Sequence, residues 1–188
     1  MVSFCRISYN SNRYRFPSGV EGKSNSIKTF EGQFDFAWEE WLFNDAFVLE
    51  DGYSYGFVQA FQHSKLKPKE LFLLNYHNSN KQWRVIAKIG NPEKLDDGKK
   101  MKRLFETYQE SGRWQLIKDS LIGEQQRLAE HLANKNFGDV VNFRYKKSDL
   151  VWIDKPLPIN SRWNYWRYNI LYSTTPQIQG LLNSTISA

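Results

Sequence analysis

The stretch ELFLLNYHNSNKQWRVIAKIG, Glu70–Gly90, carries the clearest structural signal in this sequence of 188 residues. Two runs rich in leucine, β-branched and aromatic side chains, Glu70–Asn78 and Gln82–Gly90, flank the short polar segment Ser79–Lys81. Strand-like runs separated by a few turn-forming residues are typical of a β-hairpin. The sequence therefore predicts two adjacent antiparallel strands near the middle of the chain.

Further strands and helices are predicted on both sides of this hairpin from their apolar periodicity. Helical patterns cover residues 34–44 and two stretches between residues 92 and 133, and strand patterns cover residues 2–9, 53–61, 140–145, 149–153 and 164–173. This order favours an α+β fold with a curved, mostly antiparallel sheet or a partly closed β-barrel and a helical insertion. The length suits one domain over residues 1–173, followed by a tail or linker over 174–188.

Several functional classes are disfavoured by composition. No apolar run approaches the roughly 18 residues that span a bilayer, and the N-terminus lacks the apolar core of a signal peptide, so we expect a cytoplasmic protein. The single cysteine, Cys5, lies in a strand-like run and is expected to be a buried structural thiol rather than a nucleophile. Because the histidines are scattered and no cysteine spacing matches a zinc site, we expect neither a metal nor a cofactor.

The net charge of +6 is distributed unevenly along the chain. Residues 1–30 carry five basic residues and one acid, residues 31–60 carry seven acids and no base, and residues 61–90 carry six bases and one acid. Clustered Lys and Arg favour a polyanionic partner, because each phosphate that they neutralise releases condensed counterions. A solvated basic surface without a partner is the alternative.

The long polar segment of residues 10–32 contains GVEGKS, Gly19–Ser24. A P-loop needs four residues between its first glycine and the Gly-Lys pair, whereas here only two intervene, so an NTPase is excluded. A glycine- and serine-rich basic loop can still hold a nucleic-acid phosphate, the alternative being an ordinary surface loop. The candidate backbone contacts are Arg13, Arg15, Ser18, Lys23 and Ser24.

The segment AWEEWLF, residues 37–43, places Glu39 and Glu40 between Trp38 and Trp41. A carboxylate near aromatic planes suits a base-binding pocket, since rings stack on a flipped base and the acid accepts hydrogen bonds from an exocyclic amine. An amphipathic helix with a solvated acidic face is the alternative. Adjacent helical carboxylates point about 100° apart, which disfavours acid–base catalysis on one bond. The candidate pocket residues are Trp38, Glu39, Glu40, Trp41, Tyr53 and Tyr55.

Five segments together resemble a known kind of module. They are RFPSGVEGKS (15–24), FEGQ (30–33), WEEWLF (38–43), DGYSYGFVQ (51–59) and QWRVIAKIGNPEKL (82–95). Over roughly residues 13–95 the chain is similar to the N-terminal module that precedes HNH nuclease domains in bacterial proteins. It departs from that pattern at Trp38, where the family has a histidine.

Such modules resemble the PUA superfamily, whose EVE, YTH and SRA relatives are curved-sheet domains that read modified bases. The resemblance implies the specificity module of a modification-dependent restriction system acting in phage defence. It would bind double-stranded DNA carrying 5-methylcytosine, 5-hydroxymethylcytosine or a related base by base flipping. A nuclease would then be a separate C-terminal domain, since these residues show no catalytic site. An RNA-binding module of the same superfamily and a small-substrate enzyme remain the alternatives.

Overall fold

The computed structural model describes residues 2–65, 67–96, 98–159 and 171–173. It shows an α+β fold, as predicted. The strands are β1 (Val2–Arg6), β2 (Tyr53–Gly56), β3 (Glu70–His77), β4 (Gln82–Gly90), β5 (Glu93–Lys94), β6 (Phe143–Lys146), β7 (Leu150–Ile159) and β8 (Leu171–Ser173). The helices are α1 (Phe30–Phe34), α2 (Gln59–His63), α3 (Gly98–Glu110), α4 (Arg113–Asp119) and α5 (Glu124–Lys135), and short 3-10 helices cover Trp38–Trp41, Asp45–Phe47, Phe137–Asp139 and Lys147–Asp149.

The predicted hairpin forms the middle of a five-stranded sheet with the strand order β7-β4-β3-β1-β8. Strands β3 and β4 pair antiparallel from Glu70 opposite Gly90 to His77 opposite Gln82, which confirms the hairpin. Strand β1 pairs parallel to β3, while the other pairs in this sheet are antiparallel. A three-stranded antiparallel sheet has the order β2-β6-β5.

Strand β3 is apolar without interruption from Leu71 to Leu74 because both of its faces are covered. Leu71 and Leu73 pack in one buried cluster, and Phe72 and Leu74 pack in a second cluster with Phe4. This period of two along a strand sends successive side chains to opposite faces of the sheet. The hairpin is therefore buried between two layers.

The predicted helical insertion is present between β5 and β6 and contains α3, α4 and α5. Apolar side chains on α3 and α4, among them Met101, Tyr108 and Trp114, pack in a large cluster with Trp38 and Trp41. Gly112 separates α3 from α4 with a left-handed φ of 72°. None of the helices in the described part of the chain has both the length and the apolar character required to cross a bilayer.

Two element predictions were wrong in detail. The helix expected over residues 34–44 is a 3-10 helix at Trp38–Trp41, preceded by α1 and an extended Ala37. The strand expected over residues 53–61 ends at Gly56. Beyond it, Asn142 donates to the Val58 carbonyl and accepts from the Val58 N–H at 3.0 Å each, so a side chain takes the place of a neighbouring strand.

The barrel and tail predictions have different outcomes. Over the described ranges the two sheets are open, and no closed barrel is present. Of the strand predicted over residues 164–173, the structure describes only β8. The predicted tail at 174–188 lies outside the described residues, as does the start of the domain at Met1.

We expect Asn142→Ala to lower the free energy of unfolding by about 1–3 kcal/mol, because it leaves the buried N–H of Val58 without an acceptor, while the Val58 carbonyl keeps the N–H of Phe61 as a donor. Urea unfolding followed by circular dichroism measures this change. Asn134→Ala, at an exposed position on α5, is the matched control and should change stability by less than about 0.5 kcal/mol. Equal effects of the two substitutions would contradict the structural role of Asn142.

Candidate functional site

The carboxylate of Glu40 is completely buried and accepts hydrogen bonds from four other residues. Its Oε1 accepts from Asn10 Nδ2 at 2.8 Å and from the backbone N–H and hydroxyl of Ser18 at 3.0 and 3.3 Å. Its Oε2 accepts from Lys23 Nζ at 2.8 Å and from the N–H of Ala37 at 3.0 Å. A buried carboxylate is tolerated only when it is paired and hydrogen-bonded in this way.

These contacts attach the loop of residues 10–24, hereafter the recognition loop, to the core. The Lys23 side chain is 1% exposed, and its ammonium group also donates to the carbonyl of Asp35 at 3.2 Å. Lys23 therefore anchors the recognition loop and does not face a phosphate in this structure, contrary to the sequence-based expectation. Ser18 is likewise bound to Glu40, whereas Ser24 is half-buried and its hydroxyl accepts from the N–H of Ser26.

Glycine is required at position 22 of the recognition loop. Gly22 has a left-handed φ of 68°, and a Cβ atom there would overlap the ring of Tyr9. Its carbonyl accepts from both the backbone N–H and the side-chain amide of Asn78, each at 3.1 Å. The glycine suggested by the GVEGKS pattern thus allows the loop to pack closely on Tyr9 and on the hairpin turn.

The first part of the recognition loop is held in an uncommon backbone conformation. Arg13 and Tyr14 have φ angles of 54° and 57°, which bulky residues rarely adopt. The side-chain oxygen of Asn10 accepts from the N–H groups of Asn12 and Tyr14 at 2.7 and 2.8 Å. Strained backbone that its surroundings hold in place is concentrated at functional sites.

A cavity of about 200 Å³ lies between this part of the loop and strands β3, β4 and β7. Its lining includes the rings of Tyr9, Tyr14 and Trp152 and the side chains of Arg13 and Arg84. Arg13 also lies over the Trp152 ring, with its guanidinium carbon 6.0 Å from the ring centre. We call this cavity the loop pocket.

Asn75 on β3 gives the loop pocket a polar wall. It is 3% exposed, and its Nδ2 donates to the Tyr14 hydroxyl at 3.0 Å. That hydroxyl has one proton, which it donates to the Ser8 carbonyl at 2.6 Å, so it can only accept from Asn75. The amide orientation is therefore fixed, and Asn75 Oδ1 is a buried acceptor without a hydrogen-bond partner in the described part of the chain.

A second polar atom at the loop pocket is equally unusual. The indole Nε1–H of Trp152 is buried and has no acceptor among the residues that the structure describes. Since buried polar groups are nearly always hydrogen-bonded, this acceptor and this donor each require a partner that the described residues do not supply, such as an ordered water or a ligand atom. The burial of the neighbouring Tyr14 hydroxyl raises its pKa, so it remains protonated.

The two tryptophans expected to stack on a base lie in the core. The ring centres of Trp38 and Trp41 are 5.9 Å apart, and Trp41 Nε1 donates to the hydroxyl of Ser120 at 3.0 Å. The cavity beside them holds about 10 Å³, the space of roughly one water molecule. These rings therefore do not form an open base-binding pocket, because the helices of the insertion cover them.

Glu39 is also buried, next to β1. Its Oε2 accepts from the Ser8 hydroxyl at 3.3 Å. Burial raises the pKa of this carboxyl from 4.5 to about 7. The carboxylates of Glu39 and Glu40 therefore make their hydrogen bonds inside the protein and are not placed to contact a base, which corrects the expectation from sequence.

Tyr53 and Tyr55 lie at a different place, beside a cleft of about 860 Å³ between the three-stranded sheet and α3. Arg144 stacks over the Tyr53 ring at 4.1 Å and donates to Glu93 through both Nε and Nη2. The Tyr55 hydroxyl donates to Asp51 at 2.7 Å. The hydrogen bonds from Arg144 lower the pKa of Glu93. Neither Tyr53 nor Tyr55 is among the residues that line the loop pocket.

The structure therefore divides the predicted site residues among separate locations. Arg13 lines the loop pocket, Arg15 is exposed on the recognition loop, and Ser18 and Lys23 support that loop. Sequence reasoning missed the pocket residues Tyr9, Asn10, Asn75, Arg84 and Trp152. One signal was available, since Asn75 is a polar residue directly after the apolar run of β3.

Comparison of the chain with protein-family models, curated proteins and solved structures finds no significant match. Among the described residues, no group of three histidine, cysteine, aspartate or glutamate side chains is arranged to hold a metal ion. The chemistry of the loop pocket is therefore the main structural indication of function.

We expect Lys23→Met to lower the free energy of unfolding by about 3–5 kcal/mol, because it leaves the Glu40 carboxylate buried without its cation. In the double variant with Glu40→Gln, the two losses should fall short of additivity by about 1–3 kcal/mol. Chemical unfolding of the four proteins of this cycle measures the coupling. Lys28→Met, at an exposed position on the same polar segment, is the control, and a loss below about 1 kcal/mol for Lys23→Met would contradict the ion-pair role.

The raised pKa of Glu39 predicts a pH-dependent stability. The folded protein holds this proton up to about pH 7, whereas the unfolded chain releases it near pH 4.5. The contribution of Glu39 to the free energy of unfolding is therefore fully present below pH 4.5 and is lost as the pH rises to 7. We expect Glu39→Gln to gain stability relative to the wild type by up to about 1.4 kcal/mol per pH unit across this window.

Thermal or urea unfolding at several pH values between 4 and 8 checks this difference. Glu106→Gln, which changes an exposed carboxylate on α3, should show no comparable trend. A constant difference between Glu39→Gln and the wild type at every pH would contradict the buried proton.

Proposed function

We propose that this protein is the modified-base-binding module of a restriction system, which takes a flipped DNA base into the loop pocket. The observation that carries the proposal is a cavity lined by aromatic residues and two arginines, with the unpaired acceptor of Asn75 buried in its wall. The sequence resemblance to modules that precede HNH nuclease domains points to the same role. In that case the fold is a PUA-like variant, and cleavage belongs to a separate nuclease domain.

The size and walls of the loop pocket suit one nucleobase. A volume of about 200 Å³ is below the range of roughly 300–1,000 Å³ typical of drug-sized ligands, so the pocket fits a single heterocycle with a small substituent. The rings of Tyr9 and Trp152 offer faces for stacking. Asn75 Oδ1 and the Trp152 N–H are buried without partners among the described residues, and a small side-chain movement would let them accept from and donate to the polar edge of a base.

The charges around the loop pocket suit the sugar–phosphate backbone. Arg13 and Arg84 are lining residues, and Arg15 is exposed two residues beyond Arg13. Asp154 lies 3.9 Å from Arg13, but both side chains are largely exposed, so this pair is weak and a phosphate can compete for the guanidinium. Such contacts position a duplex without reading its sequence.

The test is a fluorescence-anisotropy titration with matched duplexes that carry cytosine, 5-methylcytosine or 5-hydroxymethylcytosine at one position. We expect the wild type to prefer one modified duplex. Trp152→Ala should weaken binding to that duplex about tenfold or more, because it removes a stacking surface. Trp152→Phe should recover only part of the loss, since it keeps one aromatic ring but lacks the N–H donor and the larger surface of the indole.

Two further variants and one competition experiment complete the test. Arg15→Ala should weaken binding to modified and unmodified duplexes alike. Tyr53→Ala, at the other cleft, should leave the preference for the modified base unchanged. Competition by structured RNA tests the RNA-binding alternative, and equal binding of all duplexes by the wild type would refute the proposal.

A further inference from the structure

The cleft between the three-stranded sheet and α3, hereafter the insertion cleft, is much larger than the loop pocket. Its volume is about 860 Å³, against about 200 Å³ for the loop pocket. The apolar side chains that line it are Leu49, Leu95, Met101 and Leu104. A cavity within the range of roughly 300–1,000 Å³ that combines apolar walls with a few polar groups is typical of a small-molecule site.

The sheet side of the insertion cleft is held in place by charged side chains that pair with one another. Arg144 on β6 donates to Glu93 at 2.8 and 2.9 Å. The same guanidinium donates to the Tyr55 hydroxyl at 3.2 Å and lies 3.6 Å from the carboxylate of Asp51. Arg113, at the start of α4, donates to two backbone carbonyls that precede β2. Both arginines therefore shape the cleft.

The helix side of the insertion cleft carries charged side chains that do not pair in this way. Lys100, Arg103, Thr107 and Glu110 all line it, and their spacings of three, four and three residues place them on one face of α3. Lys100, Arg103 and Glu110 are exposed, and the described part of the chain offers none of them a salt-bridge partner. Their charges are therefore available to a ligand.

The order of these charges along α3 opposes the helix dipole. The two cations lie in the first half of the helix and Glu110 is its last residue, while the first turn has no acid and the last turn has no base. Acids near the N-terminus and bases near the C-terminus would stabilise a helix, so the observed order is unfavourable for α3 itself. Local choices that oppose their own structure are concentrated at functional sites.

We propose that the insertion cleft binds a nucleotide, with its phosphate at Lys100 and Arg103 and the amino group of its base at Glu110. This site is separate from the loop pocket and does not rest on the proposed function. Two neighbouring cations suit a doubly charged phosphate, which accepts charge-assisted hydrogen bonds from both. A carboxylate accepts from an exocyclic amine, and the apolar lining residues offer a surface to the base.

The length of the ligand follows from the helix. Glu110 lies seven residues beyond Arg103, which corresponds to about 10 Å along α3. A mononucleotide extends over a comparable distance from its phosphate to the amino group of its base. Inorganic phosphate or a free base would reach only one of the two charged positions.

The experiment is isothermal titration calorimetry with AMP, adenosine and IMP. Adenosine lacks the phosphate, and IMP has an oxo group in place of the amine. We expect AMP to bind about tenfold more tightly than either compound. Arg103→Ala should weaken AMP binding about tenfold and leave adenosine binding unchanged, whereas Glu110→Ala should bring AMP and IMP to similar affinities.

Two matched controls lie on the same helix. Lys102→Ala and Glu106→Ala remove an exposed cation and an exposed carboxylate of α3 that do not line the insertion cleft, so both should leave AMP binding unchanged. Equal effects of Arg103→Ala and Lys102→Ala, equal binding of AMP and adenosine, or no binding of AMP at millimolar concentration would overturn the nucleotide site.

Trp152→Ala shows whether AMP occupies the loop pocket instead. We expect this variant to bind AMP as the wild type does. If Trp152→Ala loses AMP binding while Arg103→Ala keeps it, the nucleotide lies in the loop pocket and the inference is wrong. The duplex titrations do not depend on any of these results, so the proposed function is tested separately.

Discussion

The buried carboxylate of Glu40 is the interaction on which the rest of the site depends. It lies on a 3-10 helix in the core and holds Asn10, Ser18 and Lys23 of the recognition loop. A buried charge is costly unless every lone pair has a donor, and here the loop supplies most of the donors. The core and the loop therefore stabilise each other, and the shape of the loop pocket follows from the position of Glu40.

The hairpin, the α+β class and the helical insertion were predictable from sequence because local patterns determine them. The uninterrupted apolar run of β3 and the glycine between α3 and α4 are examples. The helix predicted around Trp38 was wrong because the side chain of Glu40 binds the N–H of Ala37 and the chain there follows tertiary contacts. The end of β2 could not be predicted either, since it depends on hydrogen bonds between the backbone of Val58 and the side chain of Asn142, which is distant in sequence.

The sequence indicated a basic loop and several aromatic side chains but not which of them lie around one cavity. A basic loop next to aromatic residues was recognisable, and Arg13 lies at the loop pocket. The burial of Lys23 and Glu40 was not predictable, because a lysine and a glutamate that are distant in sequence give no sign that they form a buried ion pair. The pocket is instead formed by Asn75 and Trp152, which come together only when β3, β4 and β7 are adjacent. Trp38 and Trp41 lie in the core because the helical insertion covers them.

Amide hydrogen exchange at Ser18, measured by NMR on the wild type and on Lys23→Met, tests the central role of Glu40 most directly. Ser18 lies in a loop without regular secondary structure, yet its N–H donates to the buried Glu40. We expect this amide to be strongly protected in the wild type and to lose its protection in Lys23→Met, while the amide of Leu73 on β3 stays protected. Exchange of the wild-type Ser18 amide at the rate of an unstructured loop would contradict this role of Glu40.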